Sequence, residues 1–125
     1  MIVNIPKKGR CVFAEKDYKK DDTIEICEYI VVPQDQIAVL KKTVLNDYRF
    51  WKNGEEWDAM ILLWNGSLYN HSITPNMEAL QDDDERMWFV ALRDIEKWEE
   101  LTFNYWYKMN CPYIWDAKIV GRVKK

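Results

Sequence analysis

Apolar and polar residues alternate over several short stretches of the chain. Residues 9–16 and 23–32 show this alternation with many β-branched and aromatic side chains, which predicts two strands joined by a polar turn at residues 19–22. The same pattern predicts strands at residues 47–51 and 57–64. The first half of the chain therefore has the character of a β domain.

One segment of the first half has a different periodicity. Residues 34–45 follow Pro33, and their large apolar side chains recur at helical spacing: Ile37, Leu40, Val44 and Leu45. This spacing predicts a short helix inserted between two strands.

The second half of the chain continues as strands. Residues 77–80 and 86–92 predict a hairpin whose tip, residues 82–85, holds four acidic side chains. Four like charges are typical of a solvated turn, although they would also attract a basic substrate. Residues 101–105 predict a last strand. Together these elements predict a mostly β domain of short strands with a short helical insert.

Residues 69–76 interrupt the strands with turn formers, amides and the only histidine of the chain. Pro75 fixes its own φ and restricts Thr74, so the stretch predicts an ordered loop without regular structure. Two interpretations are open on these residues alone. The loop is either an ordinary one whose histidine is satisfied by hydrogen bonds, or a site that offers backbone groups and the Asn70 amide to a polar ligand.

A second segment, residues 91–105, favours the ligand-binding interpretation. Its sequence ALRDIEKWEELTFNY, together with NHSITPN at residues 70–76, resembles the two signature motifs of the SET-domain protein-lysine methyltransferases. The family pattern is N-H-S-x-x-P-N, followed two strands later by A-x-R-D-I-x-x-G-E-E-L-T-x-[DN]-Y. The second motif departs from this pattern at Trp98, where the family usually has glycine.

The N-terminal region extends the resemblance. Residues 8–14, KGRCVFA, are similar to the family's opening G-x-G-V-F-A turn, with Cys11 in place of the second glycine. The implied fold is a SET-domain-like β-clip of several small sheets with a knot-like C-terminal arrangement. The resemblance implies a single SET-like domain with the following limits: residues 1–125 overall, a core at 9–105, an insert at 34–64 and a C-terminal lid segment at 106–125.

The family transfers a methyl group from S-adenosylmethionine to the ε-amine of a lysine. The resemblance implies the same reaction here on a basic protein, with a histone or histone-like protein as the candidate substrate. Tyr105 matches the catalytic tyrosine of the family. Because a phenol has a pKa near 10, we expect its hydroxyl to orient the amine and stabilise charge rather than act as a general base.

The resemblance also implies that S-adenosylmethionine contacts two segments of the chain. The methionine end is expected at the backbone of the N-terminal turn, which contains Lys8, Gly9, Arg10 and Cys11. The adenosine end is expected at Asn70 and at the backbone of His71. The ring of His71 is expected to be hydrogen-bonded within the fold, without an acid or base role.

The target lysine would enter an aromatic channel. The resemblance implies Tyr48 and Phe103 as its lining, and apolar rings disfavour the ammonium form of lysine. Tyr107 is a further candidate for the lining, although it could instead stack on adenine or pack in the core or a dimer interface. A phenylalanine at the position of Phe103 is associated in the family with room for more than one methyl group. Di- or trimethylation is therefore expected.

Charge and cysteine content narrow the range of partners. The net charge is −3 at pH 7 and the pI is about 5.2, which argues against direct nucleic-acid binding and suits a basic partner. The three cysteines show no C-x-x-C spacing, so neither a zinc site nor a disulfide framework is expected. A lone histidine adds no metal site.

The N-terminus lacks the features of a signal peptide, and no apolar run approaches the roughly 20 residues that span a bilayer. We therefore expect an intracellular, soluble protein of the cytoplasm or nucleus that does not bind membranes. A homodimer is a further hypothesis, because one small domain offers little surface for docking a protein substrate.

Two other functions compete with the enzyme hypothesis. The chain could be a non-catalytic SET-like module that holds a peptide, since Cys11 and Trp98 replace glycines of the family pattern. It could also be a β-rich interaction domain whose motifs are similar by chance. The presence of both Asn70 and Tyr105 favours the enzyme.

Overall fold

A computed structural model of the protein describes residues 1–6, 9–52, 58–82 and 84–105. The described strands are β1 (Ile2–Ile5), β2 (Gly9–Val12), β3 (Thr23–Val32), β4 (Arg49–Trp51), β5 (Ala59–Leu62), β6 (Asn70–His71), β7 (Met77–Gln81), β8 (Arg86–Ala91) and β9 (Thr102–Phe103). They form a five-stranded sheet in the order β4-β5-β3-β8-β7 and two two-stranded sheets, β1-β2 and β6-β9. The predicted mostly β architecture of several small sheets is confirmed.

The long strand β3 lies at the centre of the five-stranded sheet and pairs antiparallel with β5 and β8. Its alternation places Cys27 and Tyr29 in the core and leaves Ile26 and Ile30 exposed on the opposite face. Glu25 lies on the side of β3 that carries Cys27 and Tyr29, and its carboxylate is half-buried. One face of the central strand thus brings a carboxylate to the edge of the core.

The insert is less regular than the sequence predicted. In place of one helix over residues 34–45, the chain forms a 3-10 turn at Gln34–Gln36, a single α-helical turn α1 at Ile37–Leu40 and a second 3-10 turn at Val44–Tyr48. The helix stops because the Thr43 hydroxyl donates a hydrogen bond to the Leu40 carbonyl at 2.8 Å and Thr43 itself is extended. Ile37 and Leu40 are accordingly buried, whereas Val44 and Leu45 are exposed.

The predicted strand at residues 23–32 agrees with β3, and the predicted hairpin at 77–80 and 86–92 agrees with β7 and β8 within one residue. Other predicted strands are shorter in the structure, and residues 101–105 form a strand only at Thr102–Phe103. The first strand, β1, was not predicted. It pairs antiparallel with β2, with Ile5 opposite Gly9.

The sheet β6-β9 is the only parallel pairing among the described strands. Asn70 lies opposite Thr102 and His71 opposite Phe103, and the Ser72 amide continues the ladder to the Phe103 carbonyl at 3.1 Å. On its other side the same C-terminal segment is held to β2, since the Leu101 amide donates to the Val12 carbonyl at 2.7 Å. The two motifs of the sequence therefore meet in one small sheet.

Asn76 holds this arrangement from within the core. Its buried side chain donates to the Glu100 carbonyl at 2.7 Å and accepts from the Thr102 amide at 3.0 Å. The Asn76 carbonyl also accepts from the Leu92 amide at 2.9 Å. A side-chain amide can satisfy a donor and an acceptor at once, so one asparagine fixes the entry to β9.

A continuous hydrophobic core joins the sheets. It includes side chains from several elements: Val12, Cys27, Met60, Leu80, Phe89 and Phe103. The longest described α-helix has four residues, so no helix in the described part of the chain is long enough to cross a bilayer.

Candidate functional site

Tyr105 makes three contacts with residues 69–71, the segment that leads into β6 and forms it. Its backbone amide donates to His71 Nδ1 at 3.1 Å, and its hydroxyl donates to the Tyr69 carbonyl oxygen. The rings of His71 and Tyr105 lie 5.2 Å apart between centroids. The His71 ring therefore has the structural hydrogen bond expected from the sequence, and it positions the predicted catalytic residue.

Burial raises the pKa of Tyr105 to about 12, and the negative charge of Glu100 adds to the increase. The hydroxyl is therefore protonated throughout the neutral range. In that state it is a hydrogen-bond donor and acceptor and a poor base, which agrees with a positioning role.

Two phenylalanine rings pack against Tyr105. Phe103 packs on it at 4.9 Å between centroids, and Phe50 contacts it edge-on at 5.2 Å. Phe50 and Phe103 also touch each other at 5.5 Å. The side of Tyr105 that carries these rings is apolar, so a charged amine placed there would lose hydration.

Phe50 was not among the predicted channel residues, whereas Tyr48 was. The structure places Tyr48 against Arg10: its hydroxyl accepts a hydrogen bond from the guanidinium, whose central carbon lies 5.3 Å from the centre of the Tyr48 ring. Tyr48 ends a 3-10 turn, and Phe50 lies on the following strand β4. The signal that could have found Phe50 is its position two residues after the tyrosine that the resemblance selected.

Asn70 connects the two segments predicted to hold the cofactor. Its side-chain nitrogen donates to the Arg10 carbonyl at 2.9 Å and to the Glu100 carboxylate at 2.8 Å, and it lies 3.5 Å from the Cys11 sulfur. The amide oxygen of Asn70 accepts no hydrogen bond from a described residue. Among the described residues, none competes with a ligand donor for this oxygen.

The N-terminal segment differs from the predicted turn. Gly9, Arg10 and Cys11 lie on strand β2, so the turn precedes them, and Lys8 lies outside the described residues. Pairing with β1, which the sequence did not predict, draws these residues into a hairpin. Gly9 has a φ of 88°, in the region that favours glycine. The Arg10 carbonyl still lies beside Asn70.

The two departures from the family's glycines have different consequences. Cys11 is buried in a strand with ordinary backbone angles, so its backbone does not require glycine. Trp98 has a φ of 75°, in the left-handed region where most residues are strained. The backbone conformation at position 98 thus explains why the family pattern has glycine there. In this chain tryptophan adopts that conformation.

The structure brings together Arg10, Asn70, His71, Phe103 and Tyr105 from the predicted set, while Tyr107 lies outside the described residues. Residues that the sequence analysis did not assign to the site also contact it: Phe50, Tyr69 and Glu100. No cluster of three metal-ligating side chains occurs in the part of the chain that the structure describes. The arrangement offers hydrogen-bonding groups beside an aromatic surface, which suits a polar ligand next to an amine that must lose its charge.

Comparisons with known proteins agree with this geometry. A family model, the SET domain, matches residues 9–106. A Plasmodium falciparum protein named as a candidate histone methyltransferase has a similar crystal structure, with a TM-score of 0.65 and 26% sequence identity; the match covers 84% of this chain and 94% of that one. CpSET8 from Cryptosporidium is also similar, with a TM-score of 0.62 and 30% identity over 84% of this chain and 56% of that one. No curated protein matches the chain.

Proposed function

The chain belongs to the SET-domain family, and from that premise we propose that it is a protein-lysine N-methyltransferase that uses S-adenosylmethionine. The observation that carries the proposal is the parallel pairing of β6 with β9. It joins the segments that carry Asn70 and Tyr105, and the Tyr105 hydroxyl bonds the carbonyl of Tyr69, the residue before Asn70. The group proposed to bind the cofactor and the group proposed to orient the amine are therefore tied to one short segment.

The aromatic rings support an amine as the acceptor. A free lysine has a pKa near 10.4, so the neutral amine costs about 4 to 5 kcal/mol at pH 7. Phe50 and Phe103 form an apolar surface against Tyr105. A lysine placed there is favoured in its neutral form, since an apolar surface destabilises the ammonium ion.

Tyr105 would orient the amine once it is neutral. Its hydroxyl is protonated, and in the structure it donates to a backbone carbonyl. A hydroxyl held in this way can also accept a hydrogen bond from the amine, which directs the nitrogen lone pair away from the phenol. The proton lost by the methylated amine would leave to solvent, because the raised pKa of Tyr105 makes its phenolate a rare species.

The residues around Asn70 fit the cofactor. S-adenosylmethionine, when bound, supplies an electrophilic methyl group on a sulfonium sulfur. The hydroxyl or amino groups of its adenosine end could donate to the amide oxygen of Asn70, which accepts from no described residue. The cationic side chain of Arg10, on the neighbouring strand, would suit its carboxylate. The backbones of Gly9, Cys11 and His71 complete the proposed contacts.

We propose a basic protein as the substrate, with a histone or histone-like protein as the candidate. The net charge of −3 supports a basic partner. The Plasmodium neighbour is itself named for a histone substrate. The proposed product is a di- or trimethylated lysine, because Phe103 presents no hydroxyl to the aromatic surface; mass spectrometry of the modified peptide would decide the degree.

The test measures cofactor binding and methyl transfer separately. Isothermal titration with S-adenosylmethionine should show binding by the intact chain and its loss in Asn70→Ala. The matched control is Asn46→Ala, because the Asn46 side chain lies in the insert, where it accepts a hydrogen bond from the Arg49 side chain at 3.2 Å. That variant should bind the cofactor as the intact chain does.

A transfer assay on mixed histones should then show activity that Tyr105→Phe reduces by about 10²-fold or more, the range found when one preorganised polar group is removed from a site. If the chain bound the cofactor but methylated no histone, the proposed substrate would be wrong and the proposed cofactor binding would stand. No binding by the folded, intact chain would refute the enzyme proposal and favour a peptide-binding module.

A further inference from the structure

Resting on the proposed function, we infer that Glu25 and Tyr69 form a positioning device for Tyr105. The hydroxyl of Tyr69 is anchored on Glu25, and the backbone carbonyl of Tyr69 accepts the hydroxyl of Tyr105. A carboxylate on the central sheet thereby sets the orientation of the catalytic phenol through one intervening residue.

Tyr69 is held firmly enough to transmit such an orientation. It is 1% exposed, and its hydroxyl donates to Glu25 Oε1 at 2.6 Å. Its ring packs against Phe89 with 4.7 Å between centroids. A phenol bonded to a carboxylate at this distance makes a charge-assisted hydrogen bond, which is stronger than a neutral one.

The neighbouring residue holds the same peptide from the other side. Consecutive residues of an extended chain point to opposite faces, so Tyr69 reaches into the core while Asn70 reaches Glu100 and the Arg10 carbonyl. The peptide group between Tyr69 and Asn70 is therefore anchored on both sides. Its oxygen is the one that accepts the Tyr105 hydroxyl.

Glu25 points to the core side of β3 by the same alternation that buries Cys27 and Tyr29. The register between β3 and β8 is regular from Glu25 onward, and its shift lies before that residue. Burial raises the pKa of Tyr69, and the charge of Glu25 raises it further. The tyrosine therefore keeps its proton and donates it in the hydrogen bond to Glu25.

A series of packed aromatic rings also connects Tyr69 with Tyr105. Tyr69 packs on Phe89, Phe89 on Phe103 at 5.2 Å, and Phe103 on Tyr105 at 4.9 Å between centroids. Tyr69→Phe preserves this stack and removes only the hydroxyl. The substitution thus separates the anchor from the packing.

The experiment compares Tyr69→Phe with the control Tyr29→Phe. Tyr29 is also a buried tyrosine of the core, and its hydroxyl accepts from Gln81 at 2.9 Å, away from Tyr105. Both variants should lose stability, and Tyr69→Phe should lose more, because its hydrogen bond is to a carboxylate and that of Tyr29 is to an amide. Only Tyr69→Phe should lower kcat, by about tenfold, a loss typical of a displaced catalytic group. The dissociation constant for S-adenosylmethionine should stay within about twofold, since the Asn70 contacts are retained.

A readout independent of activity follows Tyr105 directly. In protein labelled with ¹³C at the hydroxyl-bearing carbon of tyrosine, the Tyr105 resonance, assigned with Tyr105→Phe, should shift in Tyr69→Phe and remain in place in Tyr29→Phe. In the Tyr105→Phe background, Tyr69→Phe should cause no further loss of kcat, because the group it positions is absent.

A folded Tyr69→Phe with unchanged kcat and an unshifted Tyr105 resonance would overturn the inference. So would an equal kcat loss in Tyr29→Phe or an undiminished loss in the Tyr105→Phe background. If the intact chain transferred no methyl group, the proposed function would fail. The Tyr105 resonance in Tyr69→Phe would still show whether Tyr69 positions Tyr105. Should Tyr69→Phe not fold, Glu25→Gln, which removes the charge and keeps the shape, carries the same comparison.

Discussion

Replacing Trp98 by glycine and, separately, by alanine isolates the effect of one backbone conformation. Trp98 has a φ of 75° and a side chain that is 53% exposed. Both substitutions remove the same indole ring and its contact with Lys97, whose ammonium lies 5.1 Å from the ring centre. The difference between the two variants therefore reports the backbone alone.

Glycine should be the more stable of the two. The left-handed region costs a residue with a Cβ about 1–2 kcal/mol. Glycine avoids this cost but loses about 0.4–1 kcal/mol through the greater freedom of the unfolded chain. The variant with glycine at position 98 should thus be more stable than the one with alanine by about 0.8 kcal/mol, the difference between the midpoints of these two ranges. For a domain of this size that difference corresponds to a Tm higher by about 3 °C.

The control is the same pair of substitutions at Val39, which is exposed on the helical turn α1. Helical backbone favours alanine over glycine by about 1 kcal/mol. The order of stability should therefore invert between positions 98 and 39. Urea unfolding of the four variants, followed by tryptophan fluorescence or circular dichroism, measures both differences in one series. An alanine variant at position 98 as stable as the glycine variant would refute the assigned strain.

Four further predictions concern the hairpin, the core, the site and the assembly. Burial alone would raise the pKa of Asp82, but hydrogen bonds from the Trp88 indole and from two backbone amides lower it overall. A carboxyl with a lowered pKa adds stability above its unfolded pKa and loses it as the pH falls, so Asp82→Asn should cost about 1–3 kcal/mol at pH 7 and weaken the fall of the urea midpoint below about pH 4. Gly66→Ala should destabilise the protein by about 1–3 kcal/mol in the same assay, because its Cβ would lie 2.6 Å from Leu62 Cβ. With a pKa raised to about 12, Tyr105 should contribute no titration to kcat between pH 7 and 10, so Tyr105→Phe should lower kcat by a similar factor at each pH; a loss that vanished at low pH would contradict this. The homodimer remains a prediction, and sedimentation showing a monomer at working concentration would remove it.

The strand pattern was predictable where a single segment decides it. Residues 23–32 are rich in β-branched side chains and form β3 with the predicted ends. Which face of β3 is buried was not predictable from hydrophobicity, because Ile26 and Ile30 face outward while Glu25 faces the core side. Only the position of Tyr69, distant in sequence, gives the carboxylate its partner.

The candidate site was predictable as a set of residues and not as a geometry. The motif resemblance selected Asn70 and Tyr105, and the structure brings them together through β6 and β9. A strand of two residues is too short to show alternation of apolar and polar side chains. The pairing of β6 with β9 therefore could not be predicted from the sequence. The same limit explains why Tyr48 was selected and Phe50 was not. Which side chains meet Tyr105 depends on the register between β4 and β5, in which Phe50 lies opposite Met60. The sequence does not reveal that register.

The hairpin tip shows how a composition argument fails in detail. The acidic residues 82–85 were expected to form a solvated turn. Asp84 and Glu85 are exposed, but Asp82 is buried and accepts hydrogen bonds from the Arg86 side chain at 2.9 Å and the Trp88 indole at 2.6 Å. The expectation is therefore wrong for Asp82. Charge alone cannot separate a solvated carboxylate from one that closes a turn.

The parallel pair β6-β9 also determines when the site can form during folding. Asn70 and Thr102 are far apart in sequence, and only two residues from each strand pair directly. The entropy of closing that loop is lost before so short a ladder returns any stabilisation, whereas β7 and β8 are neighbours and can form early. We expect Asn70→Ala to speed unfolding and leave the folding rate nearly unchanged. The candidate site would then be the last part of the native state to assemble, and the first that the protein loses when it opens.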